Sequence, residues 1–228
     1  MLVLIACLVL ALFLLYVAYT VCCPTIISHP YATSTSQTSD TPDTQALSIA
    51  ASYNSCCLAG SYNPPHLGHL AMLTHLSKIH KTVYAIVGFN PSKHYPVSPQ
   101  ARLELLQKLI ANAELKNVKA VLVSGLIWRY CAAQKISTMY RGIRSWKEDG
   151  TAESVLNFQN TFFPPLLGPF TIPIPTVFLS GNPTFNHISS TLVRNLCESP
   201  TKANKKQLSD LVTEPLVAQV IDKYANSV

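Results

Sequence analysis

Four short runs carry side chains suited to holding anionic groups. The run Gly60-Ser61-Tyr62-Asn63-Pro64-Pro65-His66-Leu67-Gly68-His69 spaces two histidines three residues apart. On a helix that spacing puts both imidazoles on one face. Gly60 and Ser61 let backbone N–H groups face a phosphate, and Gly68 removes a side chain where a phosphate-bearing ligand must come close. A helix start adds partial positive charge toward an anion. Asn90-Pro91-Ser92-Lys93 supplies an ammonium, and Arg141-Gly142-Ile143-Arg144 supplies two guanidiniums. His187-Ile188-Ser189-Ser190-Thr191-Leu192-Val193-Arg194 supplies hydroxyls that can cap a helix and donate to phosphate oxygens. Such groups align anions and offset charge on a transferring phosphoryl group. There is no GxxxxGK followed by Ser or Thr, and no GxGxxG, which excludes a P-loop protein and a dehydrogenase of the dinucleotide type.

The elements that must position these runs alternate. Short apolar stretches at 56–59, 82–89, 118–123, 137–140 and 176–179 read as five buried strands. Apolar residues at helical spacing predict helices over 65–80, 98–113, 126–134 and 148–160, another beginning at Ser189, and two more ending over 215–224. Ser98 is the expected N-cap before Pro99 at the first helical position. A Pro-rich stretch at 164–175 interrupts the order. The expected fold is α/β: a Rossmann-like, doubly wound, five-stranded parallel sheet with helices on both faces, preceded by an N-terminal hydrophobic helix. In such folds ligands bind beyond the carboxyl ends of the strands, where the strand order reverses. All four runs follow predicted strands.

Composition divides the chain. Charged residues make up 12 % of its 228 residues, against an average of about 25 %. No Lys or Arg precedes Lys78, so the net charge of +6 belongs to the later part. That excess suits an anionic ligand and is too dispersed to indicate nucleic acid. Residues 1–23 read as a transmembrane signal-anchor or signal peptide, because the apolar run from Leu2 approaches the roughly 20 residues of a span and has no basic start. Residues 24–50, rich in Ser, Thr and Pro, read as a flexible linker, and 51–228 as the folded domain. The expected location is therefore membrane-anchored and single-pass, in an endomembrane or organelle, with an organelle lumen after signal cleavage as the alternative. The seven cysteines form no CxxC pair and read as buried or membrane-proximal thiols, and no metal-ligand set is expected from the chain. Zinc held by His66 and His69 with Cys56 or Cys57 is disfavoured, since the strand would bury the thiols away from the crevice.

Together the four runs resemble a known family. Gly60 to His69 is similar to the (T/H)xGH motif of the nucleotidyltransferase superfamily. The NPSK run, the RGIR run and Ile188 to Arg194 together resemble bacterial-type phosphopantetheine adenylyltransferase, over most of 54–224. The resemblance implies ATP and 4′-phosphopantetheine as substrates, dephospho-CoA and pyrophosphate as products, and Mg²⁺ entering with ATP. It implies His69, Lys93 and Arg144 as catalytic residues. It implies Gly60, Ser61, His66, Gly68, His69, Arg144, Glu153, Ser189, Ser190 and Thr191 around ATP, with Glu153 at the ribose. Ser61, Lys93, Ser124, Arg141 and Asn160 are implied around the acceptor. The stretch Asp149-Gly150-Thr151-Ala152-Glu153 departs from the family pattern by one extra residue and lacks its aromatics.

Two other functions stay open on the sequence. Gly60 to Pro65 also resembles the opening motif of nicotinamide-mononucleotide adenylyltransferases, and a membrane-anchored nucleotide-binding protein without turnover would keep the same runs. Expected partners are the two substrates and the membrane; a homo-oligomer is kept open, and nucleic acid is not expected.

Overall fold

A computed structural model describes residues 2–27, 55–89, 94–143, 146–168 and 172–225. Six strands form one parallel sheet: β1 (Thr25–Ile27), β2 (Ser55–Gly60), β3 (Thr82–Phe89), β4 (Val118–Ser124), β5 (Thr138–Ile143) and β6 (Thr176–Ser180). The order is β1-β6-β5-β2-β3-β4. The chain winds one way from β2 through β3 to β4 and the other way through β5 to β6. The order therefore reverses between β2 and β5, which are direct neighbours paired at Cys57–Met139. The five strands expected from the apolar runs are all present, and the sixth is β1.

The eight helices among the described residues are α1 (Leu2–Cys22), α2 (Leu67–Ile79), α3 (Pro99–Asn112), α4 (Ile127–Ala133), α5 (Trp146–Leu167), α6 (Ser190–Glu198), α7 (Lys202–Ser209) and α8 (Glu214–Tyr224). They cover both sheet faces, and this explains why the strands read as continuous apolar runs. Side chains alternate along β2. Cys56 and Leu58 join a core with Leu73, Leu106, Val193 and Val220, and Cys57 and Ala59 join one with Trp128, Cys131 and Met139. Caps follow local chemistry: Ser98 accepts from the Ala101 amide at 3.2 Å, and Ser189 accepts from the Leu192 amide at 3.1 Å.

Two sequence-based boundaries shift. The helix expected over 148–160 runs from Trp146 to Leu167 and passes through Pro164 and Pro165. Each proline removes an N–H donor and crowds the carbonyl four residues back, yet both lie in the last turn, where little helix remains to disrupt. Gly168 closes the helix by donating to the Pro164 carbonyl at 2.9 Å.

The N-terminal expectations need a larger correction. Among the described residues no helix is long and apolar enough to cross a membrane. α1 is docked on the domain instead. Val17 is buried, and Phe13 stacks on Phe162 of α5 with ring centroids 6.0 Å apart. The Thr20 carbonyl, left without a helical donor at the C-terminal end of α1, accepts from the Asn157 side chain at 2.7 Å. Most other apolar side chains of α1 are exposed, among them Leu8, Leu10, Leu12, Leu15 and Tyr19. Immediately after α1, β1 pairs in parallel with β6, matching Ile26 to Phe178. With no spanning helix among the described residues, the membrane-anchored placement loses its basis. The remaining residues of the expected linker, 28–50, lie outside the described residues.

Candidate active site

The loop leaving β2 is held from three helices. Tyr62, with a left-handed φ of 44°, turns its fully buried ring under the strand and donates to the Leu58 carbonyl at 2.9 Å. Arg102 of α3 donates to the Ser61 carbonyl. Arg194 of α6 donates to the Asn63 carbonyl at 2.6 Å, and Ser190 to the Pro64 carbonyl at 2.9 Å. From α8, the Tyr224 hydroxyl donates to Asn63 Oδ1 at 2.8 Å. The bonds to Ser61, Asn63 and Pro64 satisfy oxygen acceptors of a loop that no sheet or helix ladder supplies.

His66 and His69 open α2 with ring centroids 3.8 Å apart. The His66 backbone amide donates to His69 Nδ1 at 3.3 Å. A neutral imidazole that accepts at Nδ1 carries its proton at Nε2, so His69 has a donor left for a ligand. Burial, and then the neighbouring His66, hold the His69 pKa well below the ordinary histidine value. Burial pushes His66 down to about 4. Both rings are thus neutral near pH 7 and act as oriented dipoles, not as cations. Gly68 has a local reason as well: a Cβ there would lie 3.1 Å from the His66 ring. Its small size makes room for the imidazole itself.

Two cavities meet at the carboxyl ends of β2 and β5. The larger, about 510 Å³, is lined by Gly60, Ser61, Tyr95, Leu126, Trp128, Arg141, Leu156 and Asn160 among others, and is mainly apolar. Gly125, at φ 82°, turns the chain out of β4 at its rim. The smaller, about 240 Å³, is lined by His66, Gly68, His69, Asp149, Glu153, Asn182, Ser189 and Ser190 among others. Arg141 and Glu153 join across the wall between them. Nε donates to one carboxylate oxygen at 2.9 Å, Nη2 to the other at 2.8 Å, and Nη1 to the Ala59 carbonyl at 3.0 Å. Burial alone would lower the Arg141 pKa, but the Glu153 carboxylate outweighs it and raises the value.

The structure thus gathers most of the residues picked out in the sequence, in two groups. Gly60, Ser61, Arg141 and Asn160 line the larger cavity, and His66, Gly68, His69, Glu153, Ser189 and Ser190 the smaller. Asn160 also donates to Thr176 Oγ1 at 3.2 Å. Thr191 is exposed and accepts from Arg194 at 3.0 Å, and Ser124 is exposed beside Gly125; neither lines a cavity. Lys93, with the whole of Asn90-Pro91-Ser92-Lys93, and Arg144 lie outside the described residues.

Arg102, Asn63 and Tyr224 were not singled out for the site. Arg102 carried a usable signal. It stands with Leu105, Leu106 and Leu109 on the core-facing stripe of α3, an arginine where the pattern demands an apolar residue. It is fully buried, lies 4.2 Å from the centroid of the Tyr95 ring, and leaves Nε and Nη2 without a hydrogen-bond partner.

Comparison with known proteins agrees with this geometry. The cytidylyltransferase-like family profile matches residues 57–196. A phosphopantetheine adenylyltransferase from Rhodopirellula baltica is 28 % identical over 174 residues, covering 76 % of this chain and 90 % of the relative. One from Kocuria rhizophila is 30 % identical over 134 residues, covering 59 % of this chain and 80 % of the relative. Among solved structures, a Plasmodium falciparum nicotinic acid mononucleotide adenylyltransferase complexed with NaAD is similar with a TM-score of 0.53 and 16 % identity, covering 77 % of this chain and 97 % of that one. A putative nicotinate-nucleotide adenylyltransferase from Vibrio parahaemolyticus gives 0.52 and 18 %, covering 77 % and 96 %. At those identities the structural likeness speaks for the fold.

Proposed function

The chain belongs to the cytidylyltransferase-like family and, within it, to the phosphopantetheine adenylyltransferases, and from that premise we propose that it transfers the adenylyl group of ATP to 4′-phosphopantetheine, releasing pyrophosphate and forming dephospho-CoA. The observation that carries the reading is the pair of cavities sharing one wall at the point where the strand order reverses. The smaller, with its imidazoles and helix-start serines, suits the triphosphate of ATP. The larger, lined by Trp128, Leu126, Leu156 and Arg141, suits an acceptor with an apolar arm and a phosphate.

The reaction needs little covalent chemistry from the protein. The acceptor phosphate is largely a dianion at neutral pH, since its second pKa is about 6. One of its oxygens attacks the α-phosphorus in line, a new P–O bond forms, and the bond to the β-phosphate oxygen breaks. Its electron pair leaves with pyrophosphate, so no enzyme-bound intermediate is formed. His69 donates through Nε2–H to a non-bridging α-phosphate oxygen as charge builds there. The backbone bond at Nδ1 fixes that tautomer. Arg141 orients the acceptor phosphate, and Ser189 and Ser190 border the ATP phosphates. Lys93 and Arg144 are assigned by resemblance to the reacting and leaving phosphates. Mg²⁺, which the resemblance implies, would enter with ATP and offset charge on its phosphates.

The test is pyrophosphate release by the full chain with ATP and, in separate assays, 4′-phosphopantetheine, nicotinate mononucleotide or nicotinamide mononucleotide. Release with phosphopantetheine alone is expected. ATP binding with no release from any acceptor would overturn the enzymatic reading in favour of a binding protein.

A further inference from the structure

We propose that Glu153 is a positioning residue for the acceptor: it holds the Arg141 fork so that the guanidinium stays available to an anion in the larger cavity. The proposal rests on the adenylyl-transfer reading above, and it gives Glu153, which family resemblance puts on the ATP side and which lines the smaller cavity, a role toward the acceptor.

Three contacts carry it. Both carboxylate oxygens of Glu153 accept from Arg141, at 2.8 and 2.9 Å, in the side-on bidentate geometry that fixes a guanidinium plane. The Ala59 carbonyl takes a third N–H at 3.0 Å. A guanidinium has five N–H groups, so one on each terminal nitrogen remains for a ligand. The two residues line different cavities, Arg141 the larger and Glu153 the smaller, so the pair spans the wall between them. The side chains are 22 % and 10 % exposed, which limits solvent screening of the pair. Without Glu153, Arg141 would be fixed by a single carbonyl bond and would sample other rotamers before meeting a phosphate. Leu156 and Asn160 of the same helix line the larger cavity, so α5 borders both.

The experiment is steady-state kinetics of pyrophosphate release with ATP and 4′-phosphopantetheine varied separately, alongside thermal unfolding. Glu153→Ala is expected to raise the KM for phosphopantetheine about tenfold and leave that for ATP within about twofold, since a loss of orientation acts on the group oriented. Glu153→Gln, with one acceptor oxygen, should raise it less. Arg141→Lys should raise the acceptor KM alike, and adding Glu153→Ala to it should raise it no further. Should Glu153→Ala fail to fold, Glu153→Gln and its combination with Arg141→Lys make the same comparison. A rise in the ATP constant instead, equal rises in both, or additive effects in the double variant each overturn the proposal while leaving the adenylyl-transfer reading intact. An unmodified chain that releases no pyrophosphate from phosphopantetheine overturns both.

Discussion

Acid should loosen this domain through His66, by an amount the structure allows to be worked out. Burial lowers its pKa from 6.5 to about 4, and its Nδ1 has no hydrogen-bond partner. The folded state therefore resists a proton that the unfolded chain accepts freely. A folded pKa below the unfolded one for a base means that stability is complete above about pH 6.5, falls as pH drops through the window from 6.5 to about 4, and levels off below it. The whole gap corresponds to roughly 3 kcal/mol, of which about 2 kcal/mol is lost by about pH 5. His69 shifts in the same direction and adds to the slope. The comparison that isolates His66 is His66→Gln, which stays neutral throughout. Urea denaturation of both proteins at about pH 7 and about pH 5 should show the unmodified midpoint falling by about 1 M more than the variant's, for a slope of about 2 kcal/mol per M. Carboxylates titrate in both proteins and cancel in the difference. Equal acid sensitivity in the two would refute the claim that the fold buries this imidazole in its neutral form.

Other changes probe the loop and the donor. His69→Ala should lower turnover by about 10²–10³ at nearly unchanged thermal stability; near-normal pyrophosphate release would remove His69 from the reaction. Tyr224→Phe leaves buried Asn63 Oδ1 without its hydroxyl donor and should cost about 1–3 kcal/mol in denaturant unfolding, with reduced turnover. Unchanged stability would show that the bond does not hold the loop. Arg102→Met removes a buried guanidinium with two unpartnered nitrogens, so stability should change little while turnover falls as the Ser61 carbonyl loses its anchor. Collapse of the fold with retained turnover in the surviving fraction would reverse that assignment.

Much of this architecture could be read from residue types because local and global preferences agree. Apolar runs of strand length, caps at Ser98 and Ser189, and polar clusters after each strand all point to a doubly wound sheet with its site at the strand ends. β1 escaped notice because three residues next to a polar stretch make no periodic signal; it exists through pairing with β6. The prolines at 164 and 165 argue locally for a helix that stops near 160, whereas α5 runs on to Leu167, with Phe162 packed on Phe13. Glu153 and Arg141 were both picked out, but no pattern in a linear sequence says that a carboxylate and a guanidinium 12 residues apart will bond to each other. Gly68 was assigned to ligand approach, whereas the nearest demand on its space comes from His66. The pairing of Tyr224 with Asn63 spans 161 positions, and no local rule reaches that far.

That last bond orders events during synthesis. A ribosome elongating at about 5–20 residues per second delivers both imidazoles long before the tyrosine that steadies the loop beside them. A nascent chain can assemble its central strands early, yet Asn63 must wait for the closing helix. A product truncated before Tyr224 would keep its binding residues but lose this hydroxyl donor to the loop beside them.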